Sequence, residues 1–324
     1  MKNNDTSENK GKIWYPDNFK ESFQTINNGT FQTQPLYRQY SPEPKPDSHY
    51  AMSELDKLVG LDAVKETIKE LIVFLQRRGK DALPCLHMVF TGNPGTAKTT
   101  VARIIACIFA QSGITEKDKL VETDRSGLIG GYIGQTALKT ERIINKSLGG
   151  VLFIDEAYSL YAHSDNDFGY EAIATLVKAM EDKRDKFVCI MAGYPEEMNS
   201  MIDMNPGLRN RVQFYIDFPD YSITELMQIF DGFCNEKKYK LTKSAREMLI
   251  NELTLFAENK NKNFANGRLV RKLFERICIK QAQRTYGYNI TEKDIAAAFK
   301  SPDICSIIND GKCKIGFSFA KSVI

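Results

Sequence analysis

The apolar positions along this chain fall into two periods, and the switches between them mark out its elements. From Met52 the run "SELDKLVGLDAVKETIKELIVFLQRR" places Leu55, Leu58, Val59, Val64, Ile68, Leu71, Ile72 and Leu75 at helical spacing. The next run, "LHMVF", is too short for a helix and ends in a glycine-rich turn, so it reads as a strand. Val101, Ile104, Ile105, Ile108 and Phe109 then recur at i, i+3, i+4, i+7 and i+8, which predicts a helix that stops at Gly113.

The same alternation continues downstream. "KLVET" reads as a strand, 136–147 as a helix, "VLFI" as a buried strand, 170–182 as a helix, and "FVCIMA" and "VQFYIDF" as two further strands. Strands alternating with helices imply a mostly parallel sheet covered on both faces. From Ser222 the periodicity is helical only, and it opens with "SITE", in which Ser222 and Glu225 have the spacing of a capping box. The expected organisation is an α/β domain over 51–219, an all-helical domain over 220–300, and tails at either end, 1–50 and 301–324. The first tail holds five of the eleven prolines and little aliphatic material, which predicts a flexible segment without a core; the second suggests no role.

Composition narrows the function classes. A length of 324 residues favours two folded domains, and 42% hydrophobic with 26% charged residues describes a globular chain. With 44 Lys and Arg against 41 Asp and Glu, the net charge of +3 sets up no strong field toward nucleic acid or membrane. The opening "MKNNDTSENKGK" lacks an apolar stretch behind it, and no later run reaches the ~20 apolar residues of a membrane helix, so neither a secretory leader nor an anchor is expected. Seven cysteines stand singly, without a C-x-x-C pair, which argues against a disulfide framework and for a reduced cytoplasmic setting. The three histidines lie in no metal-ligand spacing with a cysteine.

The chemistry concentrates in two stretches. "FTGNPGTAKTT", 90–100, matches the phosphate-loop pattern G-x-x-x-x-G-K-[ST] at Gly92, Lys98 and Thr99, with Ala97 where a second glycine is usual. In such a loop the backbone from Gly92 through Asn93, Pro94, Gly95, Thr96 and Ala97 to Thr100 turns N–H groups and a helix N-terminus onto phosphate oxygens. Lys98 would reach the β- and γ-phosphates of ATP, and the Thr99 hydroxyl would hold Mg2+. The strand in "GGVLFIDEA" delivers Asp155, a second Mg2+ ligand, and Glu156, a base or orienter for the attacking water. A Gly-Pro-Gly turn can arise by chance, and acidic pairs are common after strands. Their occurrence in one alternating domain favours a nucleotide site.

The runs "LHMVFTGNPGT", "GGYIGQTA", "GGVLFIDEAYSL", "EAIATLVKAMED", "AGYPEEM" and "NPGLRNRV" resemble the CbxX/CfxQ family of AAA+ ATPases, over about residues 52–300. The resemblance implies an AAA+ P-loop domain with a helical lid, assembled into a ring, usually hexameric, that uses ATP to remodel a protein. By that resemblance Arg211 stands where the family has its arginine finger, with Arg209 beside it. Such a guanidinium, reaching in from the next subunit, offsets charge developing on the γ-phosphate. Arg268 in "NGRLVRKLF" is similar to the sensor-2 arginine, and Tyr194 falls where sensor 1 normally carries an asparagine. The nucleotide-binding set implied by the resemblance also takes in Val59 and Gly60. Tyr132 and Ile133 in "LIGGYIGQT" resemble a pore loop that grips polypeptide by contact area, between glycines that leave it free to move. For each, a plain surface charge or packed loop residue is the other reading.

The alanine at 97 would crowd phosphates or strain the turn. Because Glu156, Arg211 and Arg268 are all in place, we read it as tolerated. "DFG" at 167–169 lacks the other kinase signatures and is set aside. Two further classes stay open: a nucleotide-gated assembly scaffold with little turnover, and a nucleic-acid motor, which the near-neutral charge and aromatic loop disfavour. Within the remodeller class, sporulation and Rubisco activation both fit the family, although no sugar-bisphosphate site is recognisable.

Overall fold

The computed structural model describes residues 48–79, 82–83, 85–132, 134–161, 168–258 and 265–308. Residues 1–47 and 309–324 of the two expected tails lie outside the described residues. The described chain divides into an α/β unit, 48–221 with 265–266, and a helical unit, 222–258 with 267–308.

The α/β unit opens with α1 (Ser48–Lys57) and α2 (Asp62–Arg78). It continues through β1 (Met88–Gly92), α3 (Lys98–Gln111), β2 (Leu120–Thr123), α4 (Arg125–Leu128), α5 (Gln135–Ser147) and β3 (Val151–Ile154). After a 3-10 turn at Ala157–Leu160 come α6 (Gly169–Asp182), β4 (Val188–Gly193), α7 (Pro195–Met204), α8 (Pro206–Arg209) and β5 (Phe214–Phe218). All five strands pair in parallel, in the order β2-β3-β4-β1-β5.

The unbroken apolar runs have a physical cause here. Every residue of β3 and β4 is buried, because helices cover both faces of the sheet and leave no solvent side for polar residues. Phe90, Phe153, Ile154 and Ile190 are at most 1% exposed, and burying a side chain of this size contributes about 1.5–3 kcal/mol. α3 lays Val101, Ala102, Ile105, Ala106, Ile108 and Phe109 into that core, as its 3.6-residue period requires. The parallel arrangement brings the carboxyl ends of all five strands to one edge, the edge at which ligands bind in sheets of this kind.

α7 and α8 were not expected from the strand pattern. Their signal is local: Pro195 and Pro206 stand in the first turns, and Asn205 caps α8 by accepting the Leu208 N–H at 3.1 Å.

The helical unit contains α9 (Ile223–Lys237), α10 (Lys243–Glu258), α11 (Asn266–Arg284, its first residue packing with the α/β unit), α12 (Glu292–Phe299) and α13 (Pro302–Ile308). The capping box forms: Ser222 Oγ accepts the Glu225 N–H at 3.3 Å and Glu225 Oε2 accepts the Ser222 N–H at 2.7 Å. Such a cap contributes on the order of 1 kcal/mol. Phe274 centres the core, packed by Phe230, Phe233 and Tyr239 at ring distances of 5.5 to 5.8 Å. Two features depart from a purely helical reading that ends at 300. β6 (Lys240–Leu241) and β7 (Asn289–Ile290) form a two-residue parallel ladder, and α13 continues past that boundary with Ile304 fully buried.

Candidate nucleotide site

The loop between β1 and α3 is shaped by three positive φ angles: Gly92 at 149°, Gly95 at 76° and Ala97 at 71°. Gly92 is also fixed by contact, since a Cβ there would lie 2.4 Å from the Phe218 carbonyl oxygen on β5. Ala97 sits at the N-cap of α3 in left-handed geometry, so the reason for a glycine here is conformational. An L-residue pays roughly 1–2 kcal/mol for that region, a cost the loop carries without unfolding.

The loop is held largely by its own polar groups. Thr96 is fully buried and donates its hydroxyl to the Asn93 carbonyl at 2.8 Å. The Lys98 ammonium folds back to the carbonyls of Gly92 (2.7 Å) and Asn93 (2.9 Å). Asn93 donates to Asp220 at 2.8 Å. No side chain caps the N-terminus of α3, whose first turn carries Lys98, the half-buried Thr99 and the exposed Thr100. A glycine-shaped turn, an uncapped 14-residue helix and a lysine folded over both fit a polyphosphate, because the helix N-terminus carries partial positive charge.

Asp155 and Glu156 leave the end of β3, and β4 runs between β3 and β1. With neighbouring strands roughly 4.8 Å apart, the acidic pair stands about 10 Å across the edge from the phosphate loop, room for a metal-bound phosphate between them. Glu156 is exposed in the left-handed region at φ 48°, and its N–H donates to Asp155 Oδ1 at 3.0 Å, which orients the Asp155 carboxylate. Tyr194 follows β4, whose Gly193 pairs with Thr91 at the base of the phosphate loop. Its ring packs on Tyr158 at 5.6 Å. Burial, with the nearby Glu156, Glu197 and Asp155 carboxylates, pushes the Tyr158 phenol up to about 12, so it stays protonated as a hydrogen-bond donor beside the acidic pair.

The remaining expected residues are carried by other elements. Arg211 follows α8, with its side chain 26% exposed and its Nη1 donating to the Gly207 carbonyl at 2.9 Å. Its Nε lies 3.2 Å from Glu181 Oε2 but out of line for a hydrogen bond, and is buried without such a partner. Arg209 is 61% exposed and pairs with Asp203. Arg211, Glu181, Tyr170, Lys178 and Asn205 line a cleft of about 400 Å³. Val59 and Gly60 form the bend between α1 and α2, braced by Lys65, which donates to the Leu58 carbonyl at 2.6 Å. Arg268 is exposed on α11 of the helical unit.

Tyr132 is 75% exposed, and Ile133 lies outside the described residues. The glycines around Tyr132 are unlike one another. Gly130 is a close-packing position: a Cβ would meet that of Gln135 at 2.5 Å, and its N–H donates to Thr136 Oγ1 at 3.0 Å. Gly131 and Gly134 have open space. α5 clamps the base of the loop, with Lys139 donating to the carbonyls of Ser126 (2.7 Å) and Ile129 (2.9 Å).

Two site residues were not singled out from the sequence, although Asn266 opens the run "NGRLVRKLF". Asp220, just after β5, and Asn266 hydrogen-bond to each other and to the phosphate loop. Among the described residues, no helix is long and apolar enough to cross a membrane.

Comparison with known proteins places this geometry. Residues 88–220 match the ATPase family associated with various cellular activities (AAA), and residues 222–309 match the AAA lid domain. The chain is 44% identical over 259 residues to stage V sporulation protein K of Bacillus subtilis (strain 168), covering 78% of this chain and 80% of that protein. It is 41% identical over 244 residues to protein CbbX of Cereibacter sphaeroides, covering 72% and 78%. The fold is shared with the Thermotoga maritima RuvB Holliday junction branch migration motor at a TM-score of 0.55 and 19% identity, over 76% of this chain and 70% of that one.

Proposed function

The chain belongs to the CbxX/CfxQ family of AAA+ ATPases, and from that premise we propose that it hydrolyses ATP with Mg2+, as a ring of identical subunits, to remodel a protein substrate. The observation that carries the reading is the shared edge of the sheet, where the phosphate loop leaves β1 and the Asp155–Glu156 pair leaves β3.

The part proposed for each residue follows from the fold and from the family. The loop N–H groups and the α3 N-terminus bind the phosphates, and Lys98 exchanges the carbonyls of Gly92 and Asn93 for phosphate oxygens. Thr99 and Asp155 would hold Mg2+, which would offset the negative charge of the phosphates. Glu156, exposed to solvent, orients the attacking water and takes its proton. Tyr194 and Arg268 stand as the sensor positions, and Arg211, with Arg209 beside it, reaches the neighbouring subunit's nucleotide. Tyr132 grips the substrate. The family resemblance offers a sporulation-related protein or a Rubisco-type complex as the substrate, and the near-neutral charge opposes a nucleic-acid track.

The experiment is steady-state phosphate release with Mg2+ and ATP by the full chain and its Glu156→Gln variant. Wild type should turn over, while Glu156→Gln binds ATP and retains it unhydrolysed. Equal release by both would remove Glu156 from the mechanism. ATP binding without release by wild type would leave the assembly-scaffold role instead.

A further inference from the structure

Asn266 is fully buried and adopts φ +41°, a conformation that asparagine tolerates better than most residues. Its side chain is used at both ends. Nδ2 donates to Asp220 Oδ1 at 2.7 Å and, at a long 3.4 Å, to the Pro94 carbonyl; Oδ1 accepts the Tyr221 N–H at 2.8 Å. The same Asp220 oxygen accepts the Asn93 amide at 2.8 Å. One carboxylate oxygen therefore gathers two amides, and both lead to adjacent residues of the phosphate loop.

The consequence lies in the peptide planes. In a trans peptide the carbonyl and the following N–H point in opposite directions. With the Pro94 carbonyl turned to the Asn266 amide, the Gly95 N–H is turned away from it. Pro94 has no N–H of its own, so Gly95 supplies the first donor after Asn93. The Gly92 and Asn93 carbonyls are held by Lys98, which must leave them to reach a phosphate, whereas the bonds of Asp220 and Asn266 to the loop do not run through Lys98. They hold the loop while Lys98 is withdrawn.

We infer that Asn266 and Asp220 are a positioning pair for the nucleotide: the buried amide sets the Pro94–Gly95 peptide and the carboxylate sets Asn93, so that the loop keeps its anion-binding shape through each turnover. This rests on the ATPase reading above. Neither residue touches the reacting atoms, so their loss should weaken nucleotide binding and leave the chemical step in place.

The test uses the full chain and begins with wild-type affinity for a fluorescent ATP analogue; no binding there would remove the ATPase reading and this inference together. Asn266→Gly is the informative variant, because glycine adopts φ +41° without strain and only the amide is lost. The expected result is a KM and a Kd for ATP raised about tenfold, equivalent to about 1.4 kcal/mol, with kcat within about twofold, beside a lower unliganded Tm because the buried Tyr221 N–H loses its acceptor. A merely structural asparagine would lower Tm and leave KM unchanged. Should Asn266→Gly fail to fold, Asp220→Ala, at a half-exposed position, should raise KM by a similar factor. Because the two residues act through one oxygen, the double variant should cost little more than either single change. Wild-type KM in the folded variants overturns the inference.

Discussion

Arg211 and Glu181 are held together within one chain, Nε to Oε2 at 3.2 Å, by a contact too poorly aligned to be a hydrogen bond. Glu181 is half exposed, and pairs of that kind contribute about 0–1 kcal/mol. So weak a tether suits the proposed role of Arg211 at a neighbouring subunit's phosphate.

The first prediction follows from that imbalance. Arg211→Ala should bind ATP normally and hydrolyse it about 10³-fold more slowly, the usual loss when an arginine finger is removed. Mixing it with Lys98→Ala protein should recover activity at interfaces that join an intact phosphate loop to an intact Arg211. Glu181→Gln should leave hydrolysis near wild type, since it removes only the tether. Failure of the mixture to recover, in rings shown by native mass spectrometry to be mixed, would sink the trans assignment.

Ala97 yields the second. At φ 71° the methyl costs the loop roughly 1 kcal/mol, so Ala97→Gly should raise Tm by about 2–4 °C and keep or increase ATP affinity. Glycine also loosens the unfolded chain, which trims the gain. Calorimetry on both proteins decides it: a lower Tm in the glycine variant would mean that the alanine makes a contact outweighing its strain.

These two sites show what the sequence can and cannot carry. Four of the five strands were legible as runs rich in apolar and aromatic residues and β2 as a short stretch between helical segments, and the phosphate loop and acidic pair were legible because their residues are contiguous. The Asp220–Asn266 pair was not legible: 46 positions separate the two, and only the folded chain brings the Asn266 amide to the Asp220 carboxylate. β6 and β7 are two residues each, too short to show a period. For Ala97 the strain was foreseen and its left-handed origin was not, because spacing does not report φ. Gly130 was expected to free the substrate loop, yet it is packed against Gln135, a distinction that only neighbouring atoms make. Met198, Met201 and Ile202 behind Pro195 were the overlooked sign of α7.

The third prediction concerns acid stability. His87, just before β1, is fully buried between β4 and α6, its Nδ1 accepting the Cys189 N–H at 3.0 Å and its Nε2 donating to the Met180 carbonyl at 3.2 Å. Burial pulls its pKa down to about 4, against 6.5 for a free imidazole. Between those values the unfolded chain binds the proton and the folded one does not, so stability rises with pH through this window. The contribution is complete above about pH 6.5 and falls by roughly 3 kcal/mol toward pH 4. His87→Asn can keep the bond to Cys189 and cannot titrate. Urea unfolding at pH 7 and pH 4.5 should show a markedly smaller acid loss in the variant; equal losses would exonerate His87.

The last prediction concerns Tyr132. Its ring is three-quarters exposed, and the phosphate loop draws no hydrogen bond from it. Lys139 and Thr136 anchor the base of its loop on α5, so the tip can change without disturbing the sheet edge. Two open glycines, Gly131 and Gly134, flank the tip and allow it to adapt to whatever it holds. An exposed aromatic on an adaptable tip gains contact area with a polypeptide of any sequence. Tyr132→Ala should therefore keep basal ATPase and ring assembly and lose stimulation by the protein substrate. Tyr132→Phe should retain most of that stimulation, because grip by area does not need the hydroxyl. The measurement is phosphate release by the three proteins with and without the sporulation-type or Rubisco-type substrate, over a range of substrate concentrations. Stimulation that is equal in all three at every concentration would reduce Tyr132 to an exposed loop residue and leave the grip to be found elsewhere.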